Sequence, residues 1–319
     1  MKIVFMEADS LGTDLDLGYF QTLGDVTYYG TEDGKVNAER IKEADVIVAN
    51  KVPMNEELLK DCKNLKLICI SATGTNVVDF DYVNRRNITV TNVAGYSTES
   101  VAQHTFAMLF YLYEKLSYYD EYVKGGKYSE SGMFAHFDNL FYELQDKTMG
   151  IIGLGQIGRR VASLARGFGM HVIYFSTTGN HEDPNFERVP FEELLQRSDV
   201  ISVHAPLNEK TYHLLDEKAF HQMKSSAIVL NLGRGPILCQ NDLAKALKKG
   251  EIQAAGIDVM EKEPIPAEDE LMDIQDSTRL LITPHMAWGT VEARNRLARA
   301  VYQNIESFMN GTPIHVVKE

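Results

Sequence analysis

Short runs of β-branched and apolar residues, "MKIVFM", "DVTYYG", "ADVIVAN", "LKLICIS" and "ITVTNV", punctuate the first hundred residues, with helix-like polar stretches such as "NAERIKEA" and "NEELLKDCKN" between them. Strands that alternate with helices predict a parallel sheet. A second series opens at "KTMGIIGLG" and continues through "HVIYF", "DVISVHAPL", "AIVLNLG", "IQAAGIDV" and "RLLITPH", six strands with helical intervals such as "FEELLQRSD" and "QNDLAKALKKG". Only the second series has a glycine-rich turn after its first strand. The two halves therefore share an architecture and divide the work. A chain of 319 residues is long enough for two such domains, each with its own core.

The stretch "STESVAQHTFAMLFYLYEKLSYYDEYV" lies between the two series. It offers Ser97 or Thr98 as an N-cap and has no glycine or proline until Gly125, which predicts one long helix. Val101, Phe106, Met108, Leu109, Phe110, Leu112 and Leu116 nearly encircle it, and a helix apolar all round needs more than one covering neighbour. Burial between domains and a homodimer interface both meet that need. The last helical stretch, "VEARNRLARAVYQNIESFMNG", puts Leu297, Val301, Ile305 and Phe308 on one stripe and ends at Gly311, as an amphipathic closing helix would.

Composition narrows the class. Hydrophobic residues make up 44% and charged residues 24%, as in an ordinary globular protein. The formal net charge of −13 repels phosphate backbones and anionic lipid, so neither nucleic acid nor a membrane is expected as the main partner. An anionic substrate must then find a local positive spot. Cys62, Cys69 and Cys239 form no CxxC pair and are read as free thiols; with no basic leader or long apolar segment, the expected location is the cytoplasm.

Gly153, Gly155 and Gly158 form a GxGxxG turn between the strand "MGII" and the helical "RRVASLARGFG". In that context the first glycine permits a tight turn, the second lets backbone approach a pyrophosphate, and the third lets helix pack on strand, with the helix N-terminus facing the anion. Dinucleotide binding follows, and Gln156 and Ile157 are part of the turn. An NAD site expects an acid at the end of the next strand. Here that position is Ser176, followed by Thr177 and Thr178, which can bond a ribose hydroxyl and would not repel a 2′-phosphate. Arg159 and Arg160 are the cations within reach, so the cofactor is read as NAD or NADP.

In an open parallel sheet, ligands gather beyond the carboxyl ends of the strands. Three residues fall there with complementary chemistry: Arg234 after "AIVLNLG", Glu263 after "AAGIDV" and His285 after "LLITP". A guanidinium fork can take a carboxylate in two parallel hydrogen bonds. An imidazole can give a proton to a carbonyl oxygen and take it back. A carboxylate beside that imidazole favours its protonated form, and Glu261 is as good a candidate for this part as Glu263.

Seven segments carry a resemblance that runs over essentially the whole chain: "SATGTNVVD", "GYSTESVAQHT", "GIIGLGQIGRRVA", "SDVISVHAPL", "NLGRGPIL", "GIDVMEKEP" and "TPHMAW". With them the chain resembles the D-isomer-specific 2-hydroxyacid dehydrogenases, and its "NKVPM", "ATGT" and "HMAW" are similar to those of glycerate dehydrogenases, or hydroxypyruvate reductases. The resemblance implies an α/β fold of two doubly wound parallel-sheet domains, with a Rossmann cofactor domain (99–289) inserted into a flavodoxin-like substrate domain (1–98 and 290–319). It implies His285 as acid/base, Glu263 as its partner and Arg234 as carboxylate clamp. Backbone N–H groups around Thr73 and Gly74 would help hold the carboxylate, with Thr73 near the nicotinamide. Gln156, Ile157, Ala205, Pro206, Gly233, Asp258 and Trp288 would line the cofactor site. The expected reaction is reversible reduction of a small 2-oxo acid, of hydroxypyruvate or glyoxylate type, to its D-2-hydroxy acid, by a homodimer with no metal. Corepressors that sense dinucleotides and dehydrogenases of other small anions share the scaffold, but the complete Arg, Glu and His set favours turnover. Ser176 and Gln103, which stands where the family often has Glu, depart from the pattern.

Overall fold

The structure, a computed structural model, describes residues 1–31, 34–179 and 182–318. The chain forms two compact units, Met1–Ser97 with Gly289–Glu319, and Thr98–Trp288.

In the first unit, β1 (Lys2–Phe5), β2 (Asp25–Tyr28), β3 (Val46–Ala49), β4 (Leu67–Ile70) and β5 (Thr89–Thr91) make one parallel sheet in the order β2-β1-β3-β4-β5. This is the flavodoxin-like order. Helices α1 (Gly34–Ile41), α2 (Glu56–Leu59) and α3 (Phe80–Arg85) fall between strands, and α2 and α3 start where the side chains of Asn55 and Asp79 accept the N–H groups of Leu58 and Tyr82.

The second unit opens with α4 (Thr98–Tyr113), α5 (Leu116–Lys124) and α6 (Lys127–Ser131). Its sheet comprises β6 (Thr148–Ile152), β7 (His171–Phe175), β8 (Glu187–Arg188), β9 (Val200–Val203), β10 (Ile228–Asn231), β11 (Ala254–Ile257) and β12 (Leu280–Ile282), all parallel, in the order β12-β11-β10-β9-β6-β7-β8. Numbered from β6, this is the Rossmann order 3-2-1-4-5-6 with one more strand at the far edge. Helices α7 (Gln156–Gly167), α8 (Phe191–Arg197), α9 (Glu217–Gln222) and α10 (Gln240–Lys249) fill the crossovers. Strand residues divide by parity: Ile201, Val203 and Val229 join the core on one face, while Met149, Ile151, Ile228 and Leu230 join the core on the other. Burial on both faces is why these strands read as continuous apolar runs. Seven strands stand where six were expected, because β8 is two exposed polar residues at the sheet edge.

The long helix expected over 97–123 is two helices. Lys115 adopts a left-handed backbone, φ 54°, and separates α4 from α5. α4 is covered within its own unit, by α7 and by β10 to β12, and Ser100 Oγ bonds the Ala287 carbonyl at 2.5 Å. α5 buries no residue. The exposed apolar surface therefore lies further along than expected, in residues 116–142, where Met133, Phe134 and Phe137 are 64%, 90% and 68% exposed.

The closing helix α11 (Val291–Met309) belongs to the first unit and packs on β4. The Thr290 side chain caps it by accepting the N–H of Ala293. Leu297, Val301 and Ile305 are fully buried, each contributing about 1.5–3 kcal/mol by area; Phe308, expected on the same stripe, is only partly covered.

Candidate active site

The glycine turn of the second unit sits where the strand order reverses, since β6 lies between β7 and β9. Gly153 has φ 91°, and a Cβ there would lie 2.7 Å from the backbone of Ala205. A Cβ on Gly158 would strike the Gly153 carbonyl oxygen. Neither position tolerates a side chain. A Cβ on Gly155 would meet nothing within 4 Å, so open space faces the N-terminus of α7, as a pyrophosphate requires. These residues fit a dinucleotide.

A cavity of about 360 Å³ adjoins the turn, bounded by residues 153–156, Arg159, Tyr174, residues 176–178, Asp183, His204 and Pro206. Ser176 comes directly after β7, and its Oγ accepts the Gly179 N–H. Of the two candidate cations, Arg160 pairs with Glu99 at 2.8 Å, and Arg159 is the one that lines the cavity. Arg159 Nε holds Asp183 Oδ2 at 2.9 Å. Backbone and side-chain hydrogen bonds, from Asn185 first and Arg159 next, keep the Asp183 carboxyl below the usual aspartate range. Asp183 escaped sequence reading because it comes eight residues after the strand end and only the fold brings it beside Arg159. His204 Nε2 lies 2.8 Å from Ser202 Oγ, while burial lowers the imidazole pKa to about 3 and keeps the ring neutral. Its Nδ1 is buried without a partner among the described residues.

The three residues expected to bind the carboxylate and move the proton follow three adjacent strands. Asn231, Ile257 and Ile282 lie abreast in β10, β11 and β12, and Arg234, Glu263 and His285 follow them on one sheet edge. His285 Nδ1 is 2.8 Å from Glu263 Oε2, and Glu263 Oε1 accepts the Met260 N–H at 3.1 Å. Glu261 turns elsewhere: its Oε1 accepts the Gln240 N–H at 2.9 Å. The spacing of the sequence could not separate the two glutamates; the turn does. A Cβ on Gly235 would overlap the Met260 carbonyl, so this glycine lets the Arg234 turn press against the loop that carries Glu263. Arg234 Nη1 bonds the Gly233 carbonyl at 2.9 Å.

Asp258, expected to line the cofactor site, spends its carboxylate on the protein. It is 1% exposed and accepts Thr283 Oγ1 at 2.6 Å and the N–H groups of Met286 and Ala287, each at 2.9 Å, while its carbonyl accepts the His285 N–H at 2.8 Å. These bonds hold residues 283–287 in the turn where His285 has φ 52°. His104, which the sequence did not mark, adds Nε2 at 3.2 Å from Thr283 Oγ1. Ala205 is buried beneath Gly153, Gly233 donates its N–H to Asn231 Oδ1, Ile157 and Trp288 pack on the core next to α4, and Gln156 is exposed at the start of α7.

In the first unit, Thr73 and Gly74 follow β4 at the carboxyl edge of its sheet. Thr73 is exposed, its Oγ1 donates to the Val93 carbonyl, and its own carbonyl accepts Asn92 Nδ2 at 2.7 Å. Glu7, just past β1, is buried and accepts the N–H groups of Asn50, Lys51 and Val52, which fixes the loop after β3. Nothing in the local sequence singled out Glu7.

Residues 106–287 match the family description "D-isomer specific 2-hydroxyacid dehydrogenase, NAD binding domain". The chain is 34% identical to a hydroxypyruvate reductase of Blautia hydrogenotrophica, with 100% of both chains covered. D-lactate dehydrogenase of Aquifex aeolicus, solved with NAD and lactic acid, superposes with a TM-score of 0.84 at 28% identity over 97% of this chain and 96% of that one. The acyclic imino acid reductase Bsp5, solved with NADPH and D-Arg, gives 0.87 at 28% identity over all of both chains. This chain belongs to the D-isomer-specific 2-hydroxyacid dehydrogenase family. It is an oxidoreductase that works with a nicotinamide cofactor.

Proposed function

We propose that the protein reversibly reduces a small 2-oxo acid, of hydroxypyruvate or glyoxylate type, to the D-2-hydroxy acid. The observation that carries this reading is the 2.8 Å bond between His285 and Glu263 beside the Arg234 turn. Arg234 takes the substrate carboxylate in its planar fork and so aims the keto group. With Nδ1 tied to Glu263, His285 delivers a proton from Nε2 to the forming alkoxide and recovers it in the reverse direction. Asp258 acts on the chemistry by holding the turn that carries His285. When bound, the dihydronicotinamide supplies the hydride.

Gly155, Gln156 and Ile157 would hold the pyrophosphate at the N-terminus of α7, and residues 176–178 the adenosine ribose. No acid stands at the end of β7 to repel a 2′-phosphate, and Asp183, the carboxylate bounding the cavity, is already matched by Arg159. On this reading both NADH and NADPH are accepted. The exposed apolar residues of 116–142, Met133, Phe134 and Phe137 among them, support a homodimer in which a second copy covers them. Three free cysteines, two of them buried, support a reducing, cytoplasmic setting; among the described residues no helix is long and apolar enough to cross a membrane.

The test is absorbance at the nicotinamide band with hydroxypyruvate, glyoxylate and pyruvate, run with NADH and NADPH in parallel. Oxidation of either cofactor by hydroxypyruvate or glyoxylate is expected. Tight dinucleotide binding with no 2-oxo acid consumed would replace this reading with a sensor.

A further inference from the structure

A second cluster of chemistry-bearing side chains lies outside the proton-transfer set. His213 Nε2, Cys239 Sγ and a carboxylate oxygen of Glu261 all lie within 4.8 Å of one another. The three come from different segments: the turn before α9, the residue that precedes α10, and the loop after β11. His213 is held with φ 49°, a conformation a residue with a Cβ seldom takes, by its N–H on the Pro236 carbonyl at 2.8 Å. Its ring stacks on Tyr212 at 4.0 Å. In this pose Nε2 is buried, 3.4 Å from Glu261 Oε1, and makes no hydrogen bond among the described residues. Cys239 is a free thiol whose backbone N–H is fixed on the Leu215 carbonyl at 3.0 Å. Glu261 is anchored from both sides by Gln240, whose N–H donates to Oε1 and whose Oε1 accepts the Glu261 N–H.

We propose that His213, Cys239 and Glu261 form a binding site for one zinc ion. A neutral imidazole, a thiolate and a carboxylate are the donors that suit this borderline-soft cation, and three of them leave a fourth tetrahedral position for water. Binding releases the Cys239 proton to solvent, after which the charges of thiolate and carboxylate cancel those of the ion. The left-handed histidine, and a buried nitrogen that faces Glu261 without a hydrogen bond, gain an explanation that packing alone does not supply. Glu261 lies two residues before Glu263, so the filled site pins the loop that carries the His285 partner to the start of α10.

The full-length protein, stripped with a chelator and then freed of it, is titrated with Co(II) as a spectroscopic stand-in and then with Zn(II) in competition. The expected result is one metal per chain, a thiolate-to-cobalt charge-transfer band with tetrahedral visible bands, and displacement by zinc. Cys239→Ser abolishes the charge-transfer band. His213→Gln and Glu261→Gln each weaken affinity by more than about 10-fold, a loss already typical of removing a hydrogen-bonding partner of a ligand. Dinucleotide binding and circular dichroism verify that each variant is folded. No thiolate band in the wild type, or a band that survives Cys239→Ser, overturns the proposal. So does an affinity unmoved by both His213→Gln and Glu261→Gln. None of these readouts uses turnover, so a failure here is separable from a failure of the dehydrogenase reading.

Discussion

His285 Nδ1 and Glu263 Oε2 meet at 2.8 Å across 22 positions of sequence. Because the carboxylate engages one ring nitrogen, the proposed mechanism has the other exchange the proton.

Glu263→Gln keeps the shape and removes the charge. A hydrogen bond to a charged group is worth about 1.5–3 kcal/mol, so kcat for reduction is expected to fall roughly 10- to 100-fold. A kcat equal to that of the wild type would remove Glu263 from this role.

Arg234→Ala is expected to raise KM for the 2-oxo acid and lower kcat together, with kcat/KM down by about 100-fold or more, since anchoring and aim depend on one fork. Arg234→Lys recovers only part of the loss, because a point charge lacks the paired geometry. Unchanged constants in Arg234→Ala would place the substrate carboxylate elsewhere.

On the proposed reading, cofactor choice turns on the pair of Arg159 and Asp183. Asp183→Asn frees the guanidinium and should raise kcat/KM for NADPH by about 10-fold while leaving NADH nearly level. Arg159→Ala should do the reverse, costing NADPH most. Parallel shifts with both cofactors would show that the pair shapes the loop without reading the 2′ position.

Buried His204 ties stability to acidity. Its pKa is about 3 when folded against 6.5 as the ordinary value, so as pH falls below 6.5 the unfolded chain takes up the proton and the folded one does not. Stability from this group is fully present above 6.5 and declines on the way down to about 3, by at most about 1.4 kcal/mol per pH unit. Urea unfolding of wild type and His204→Gln at pH 7 and pH 5 should show the gap between them narrowing by up to about 2 kcal/mol. A gap independent of pH would mean the ring is protonated in the native state.

Phe134→Asp with Phe137→Asp places two charges on the most exposed rings of 116–142. Sedimentation should then show a monomer with a nearly unchanged melting temperature. A doubly substituted chain that still sediments as a dimer would assign the contact to another surface.

Strands were legible because both faces of each sheet are covered, which makes "VIVA" and "LICI" apolar throughout, while their order came with the family resemblance. β8 was not, having two exposed polar residues and no such run. The break at Lys115 was hidden for a different reason: helical periodicity continues across it, and no glycine marks the left-handed residue. In the site, Arg234, Glu263 and His285 stood out by following successive strands. Asp258 also follows a strand, but the pattern did not show that its carboxylate takes three donors of the His285 turn. Where a side chain points depends on a loop closing over it, and the sequence pattern carries strand ends more plainly than loop closure. Asp183 and Glu7 escaped for that same reason.

The unit built from Met1–Ser97 and Gly289–Glu319 has a consequence for biosynthesis. Its five strands leave the ribosome early, but α11, which buries Leu297, Val301 and Ile305 against them, is translated only after residues 98–288. At ordinary elongation rates that delay is roughly 10–40 s. During it the contiguous unit can mature while the nascent sheet waits with an uncovered face, the interval in which a chaperone would be most needed.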